Sequence, residues 1–131
     1  MMNIKLTGLI VLIAVCFSSC SQKIVGTWNI SNYESVASGG QAIKVKNIGD
    51  ITFNKNNTGQ TNIMYSIFEN KVEDKSAFEW SKAEDGESIT ISGEGTQLNK
   101  TWLIVEDERK YQRWKSTDGA NTLQVLELVK E

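Results

Sequence analysis

Two cysteines, sixteen carboxylates and no histidine set the chemistry open to this chain. Without histidine, the commonest general base and the commonest metal ligand are both missing. The carboxylates cluster in two short stretches, Glu84-Asp85-Glu87 and Glu106-Asp107-Glu108. Either cluster could offer oxygens to Ca²⁺, but neither has the spacing of a dedicated calcium loop, and solvated turns explain both. Glu79 and Glu87 form a conceivable acid–base pair, yet nothing in the sequence marks them out. There is no glycine-rich phosphate loop and no nucleophile elbow. The chain therefore reads as non-catalytic, with neither metal nor cofactor expected. The residue left with chemistry of its own is Cys20.

Cys20 ends a segment with the grammar of export. Lys5 supplies one positive charge, and Leu9 to Phe17 is an unbroken apolar run. An apolar core of ~7–15 residues fits a secretory signal, whereas a membrane-spanning helix needs roughly 20. Small residues then lead directly into the cysteine. Phe17-Ser18-Ser19-Cys20 resembles the lipobox of bacterial lipoproteins, with Phe17 where an aliphatic residue is usual. The resemblance implies diacylglycerol on the Cys20 thiol, cleavage before it and acylation (palmitate or a similar chain) of the new amino group. Several acyl chains on one residue make a stable anchor, where one would be marginal. The expected organisation is a signal over 1–19, a lipidated tether over 20–23 and one folded domain over 24–131. Cys16 leaves with the signal, so no disulfide is expected, although the compartment would allow one. Ser21 lacks the aspartate that retains some lipoproteins at the inner membrane, so the resemblance points to the outer membrane of the cell envelope. Cys20→Ala should leave an unprocessed or mislocalised precursor.

Processing would leave 112 residues, enough for one domain with its own core. Loss of Lys5 leaves 13 basic side chains against 16 acidic ones, a charge near −3. Such a surface gains nothing from counterion release, so a nucleic-acid partner is not expected.

Apolar residues in the mature chain recur with period two rather than 3.6, which argues for strands. Alternation marks strands over 24–31, 50–54, 60–68, 76–82, 88–91, 100–105, 110–115 and 122–130. Loops or turns over 35–41, 55–59, 84–87, 93–96, 106–109 and 116–121 join them. The expected fold is all-β, an eight-stranded antiparallel up-and-down barrel. Gly26-Thr27-Trp28 resembles the glycine-x-tryptophan opening of lipocalins. The stretch from Ile51 to Gly59 is similar to the apolar-Thr-Phe segment and Asn-rich turn of small bacterial lipocalin-like domains, and Leu126-Glu127-Leu128 completes the likeness to lipocalin-like lipoproteins of Gram-negative bacteria. The resemblance implies that Gly26 and Trp28 close the base of the barrel. It also implies a basic residue stacked over Trp28, for which Lys130 and Arg113 are the candidates.

Tyr65, Trp80, Trp102 and Trp114 are candidates to line a cavity, because aromatic rings with polar tips suit amphipathic ligands. Core or rim packing is the other role open to the same rings. The leading expectation is a monomer, anchored through Cys20, that holds a small apolar or amphipathic molecule. The alternative is a protein-binding envelope module, an inhibitor or assembly factor, with a filled barrel.

Overall fold

The computed structural model describes residues 23–37, 40–116 and 122–131. The signal, the lipobox and Cys20 lie outside the described residues. Nine strands follow one another: β1 (Gly26–Ala37), β2 (Ala42–Phe53), β3 (Thr58–Ile67), β4 (Asn70–Asp74), β5 (Ala77–Lys82), β6 (Ser88–Ser92), β7 (Thr101–Asp107), β8 (Tyr111–Ser116) and β9 (Thr122–Lys130). All pairings are antiparallel. Each ring strand pairs with the next, and β1 pairs with both β2 and β9. β2–β3 contacts shut the circle. The result is the expected closed eight-strand up-and-down antiparallel barrel, with β4 as an extra strand. No helix among the described residues is long and apolar enough to cross a membrane.

Several boundaries differ from the sequence expectation. Ile24 precedes the first strand and packs under the barrel base. β1 and β2 run on well past the expected ends, so Ser35 pairs with Ile43 and Val36 with Ala42 where a loop was expected. A bulge between Ile30 and Asn32 shifts the inward phase of β1, which hides its continuation from a period-two reading. Thr58 and Gly59 belong to β3 rather than to the preceding turn, and Glu106 and Asp107 belong to β7. β4 has no counterpart among the expected strands. It pairs with the outer half of β3, while β5 takes the inner half.

The barrel has two unlike ends. At the base lie the N-terminal end of β1, the C-terminal end of β9 and the turns after β2, β5 and β7. At the mouth lie the far ends of the same strands, the β3–β4 hairpin and the loop from Gly93 to Lys100. Alternating inward side chains pack the space between them into one core. Phe53 meets Phe78, Trp80 and Trp114 edge-on, at centroid distances of 5.6, 5.6 and 5.9 Å. Trp102 lies 6.4 Å from Trp114. Such edge-to-face contacts favour aromatic pairs over flat stacking.

Candidate functional site at the barrel mouth

The base is sealed. Trp28 is wholly inaccessible, and its indole N–H donates to the Ile24 carbonyl at 2.8 Å. Lys130 crosses above the ring with its ammonium 5.1 Å from the centroid and donates to the carbonyls of Val25 (2.7 Å) and Lys23 (3.3 Å). Lys130, rather than Arg113, is therefore the cation over Trp28. Arg113 faces Glu106 instead, at 3.9 Å. The Lys130 stem passes over Gly26, where a Cβ would come within 2.8 Å of Lys130 Cε, and the backbone there has φ +132°. Glycine suits both conditions. Nearby, Asp107 accepts from Gln112 at 2.8 Å and faces Lys23 and Lys82, both at 3.7 Å.

Three of the four rings proposed from sequence as cavity lining form part of the packed core. Trp102 and Trp114 have 0 % of their surface accessible, so no water-sized void borders them. Trp80 is buried as well. Each indole N–H is already satisfied: Trp80 by the Thr58 carbonyl at 3.0 Å, Trp102 by the Leu98 carbonyl at 3.1 Å and Trp114 by Gln112 Oε1 at 2.9 Å. Of the two roles open to these rings, core packing is the one seen for Trp80, Trp102 and Trp114, which form a floor beneath the mouth. Period two identifies an inward face but not whether the space beyond it is empty.

Tyr65 alone stands at the mouth. It is half-buried, and its ring lies 5.9 Å from that of Tyr33 at an angle of 45°. Its hydroxyl lies 3.4 and 3.5 Å from the Gln97 amide, and burial raises its pKa above the usual 10. Tyr33 accepts a hydrogen bond from Gln124 Nε2 at 2.9 Å. Gln124 also meets the Lys100 ammonium, which sits 5.5 Å over the Trp102 ring. Tyr33, Gln97, Lys100 and Gln124 escaped the sequence reading. One signal was present for Gln124: it shares the inward phase of β9 with Leu126 and Leu128, where a polar residue is out of place.

The mouth is held in shape by Asp74, a buried carboxylate at the end of β4. Thr61 Oγ1 donates to it at 2.7 Å, Thr96 Oγ1 at 2.8 Å and the Gln97 N–H at 3.0 Å. Both hydroxyls accept in turn, from the amides of Ser76 (2.8 Å) and Leu98 (3.1 Å). This clamp joins β3, β4 and the loop that carries Gln97. A buried carboxylate is tolerable because its oxygens are paired.

The acidic clusters do not assemble a site. Among the described residues no group of three or more His, Cys, Asp or Glu is placed to hold a metal ion. Asp85 accepts the Glu87 amide at 2.9 Å as an ordinary turn contact. Glu79 sits opposite Ser92, five residues along β6 from Glu87, so the two carboxylates are not brought together.

No protein-family model matches the chain, and no curated protein matches it. Among solved structures it is similar to a redesigned β-barrel, with 14% identity over 85% of this chain and 94% of that one and a TM-score of 0.47. A de novo designed fluorescence-activating β-barrel matches with 10% identity, 85% and 96% coverage and a TM-score of 0.47. A deswapped triple mutant of bovine odorant-binding protein matches with 15% identity, 83% and 74% coverage and a TM-score of 0.46.

Proposed function

We propose that this chain is a non-catalytic binding barrel that takes a small amphipathic molecule at its mouth. The observation that carries this is the half-buried Tyr65 against the buried Tyr33, with the Gln97 and Gln124 amides beside them, above a sealed aromatic floor. Aromatic faces with a few fixed polar groups suit a ligand that is apolar along one part and polar at its head. The floor limits its depth.

The same proposal anchors the protein through lipid on Cys20 to the bacterial envelope, at the outer membrane. In support, the first described residue after Cys20, Lys23, lies at the base of the barrel, at the end opposite the mouth. Cys20→Ala should then leave an unprocessed or mislocalised precursor. A mutant still cut and still membrane-bound would overturn the anchor.

Native mass spectrometry of Ser21–Glu131 purified from a bacterial host tests the ligand reading. An added mass that disappears on denaturation, and is missing from Tyr65→Ala, supports it. An added mass that Tyr65→Ala retains would place binding elsewhere. The filled lower barrel favours a second reading, a protein-binding envelope module that uses loops and edges. A clean mass throughout would shift weight to it.

A further inference from the structure

The ring is incompletely joined at one seam. β2 pairs with β1 along nearly its whole length, from Ala42 to Phe53. With β3 it pairs only from Gly49 to Phe53. Residues 42–48 of β2 therefore have one edge without a strand partner, and no hydrogen bond from another described loop or side chain reaches them there. Residues 64–67 of β3, whose other edge carries β4, are likewise unpaired on the β2 side. The seam opens where β2 leaves the regular pleat, at Gly49 (φ 138°) and Asn47 (φ 54°).

This edge carries a pattern. Ile43 and Val45 are half-buried on one face, while Lys44 and Lys46 are exposed on the other. Glu34 lies opposite Lys44 on β1, but only Asn32 lies opposite Lys46. A row of unpaired N–H and C=O groups is a template for another strand, and lysines on an edge discourage indiscriminate pairing. They repel a second copy of the same edge, and any basic strand, while leaving an acidic one attracted.

We propose that residues 42–46 accept an extended segment of a partner polypeptide as an added strand, one whose residues alternate between acidic and apolar. The period of two would set its acidic side chains beside Lys44 and Lys46 and its apolar side chains over Ile43 and Val45. Main-chain hydrogen bonds supply the attachment and the alternating side chains the selection. This edge adjoins the mouth, with Val45 opposite Tyr33 on β1, but main-chain attachment along it does not require a small ligand.

The test uses the full chain and two short fluorescein-labelled peptides, one alternating glutamate and valine, the other lysine and valine. Anisotropy should show saturable binding of the glutamate peptide with a Kd below ~1 mM, at least ~10-fold tighter than the lysine peptide. Amide hydrogen exchange should slow at residues 42–46. The double variant Lys44→Glu/Lys46→Glu alters only exposed side chains and should reverse the preference between the peptides. The proposal is overturned by absent binding, by equal binding of both peptides, by protection confined to other strands, or by a dimer of this chain that occupies the edge instead.

Discussion

Gly26→Ala would force a side chain onto a backbone with φ +132° and push the Lys130 stem off Trp28. A loss of about 1–3 kcal/mol is expected, read as a lower urea midpoint with an unchanged slope. Trp28→Ala should cost ~3–5 kcal/mol, because it empties a fully buried site. A wild-type melting temperature in either variant would contradict the base as described. At the mouth, Asp74→Ala would strand two threonine hydroxyls and the Gln97 amide. Leaving buried polar groups unpaired costs about 1–3 kcal/mol each where water cannot replace the partner, and faster amide exchange at Gln97 should accompany the loss. Tyr111 offers a check by pH. Burial, and then its hydrogen bond to Glu127 at 3.0 Å, push its phenol up to about 12 from the usual 10. The folded state thus holds this proton more tightly than the unfolded chain. Its contribution is complete below pH 10 and is lost as pH rises through about 12. Phenolate absorbance should show a tyrosine ionising at about pH 12, missing from Tyr111→Phe. Of these residues the sequence made only Gly26, Trp28 and Lys130 legible, through a motif. Asp74 gave no signal, because its partners come from two segments distant in sequence, Thr61 on β3 and Thr96–Gln97 in the loop after β6.

Among elements, the β3–β4 hairpin is the least comfortable. Its two-residue turn places Phe68 and Glu69 at φ 47° and 69°, and Phe68 is 87 % exposed. Two successive positive values are the geometry for which Asn-Gly is favoured, and a bulky residue there is strained. Phe68→Asn with Glu69→Gly should therefore stabilise the protein by about 1–2 kcal/mol, measured by thermal and chemical melting. An unchanged stability would mean that the turn carries little strain. β4 was invisible in the sequence for a related reason. In Asn70–Asp74 the inward phase holds Val72 and Asp74, so alternation of apolar and polar residues fails. The upper half of β2 is different: Ile43 and Val45 alternate cleanly with Lys44 and Lys46, yet no strand was expected between the loop over 35–41 and the strand over 50–54. An apolar face made strands legible over 76–82 and 88–91, though the same signal over 42–46 was passed over. Where a bulge or a buried carboxylate interrupts such a face, the strand was not legible.

For the whole molecule, the division into sealed floor and partly open mouth predicts which rings report on binding. Trp28, Trp102 and Trp114 are wholly enclosed, so acrylamide should quench native tryptophan emission weakly. A ligand at the mouth should perturb tyrosine near-ultraviolet dichroism more than tryptophan emission. A large tryptophan shift would place the ligand deeper than the floor allows. The closing joint has a kinetic meaning too. β1 meets β9 through pairs such as Trp28 with Lys130 and Tyr33 with Leu126, and the Lys130 ammonium reaches back 105 positions to the Val25 carbonyl. Contacts so distant along the chain come late, because the loop entropy must be overcome before they return anything. The β1–β2 hairpin can form early from neighbours, but it must wait with its other edge bare until the last strand arrives. Refolding on the ms–s scale of non-local β topologies is therefore expected. The Trp28 indole then serves as a clock, reaching its enclosed environment only when the final strand locks the ring.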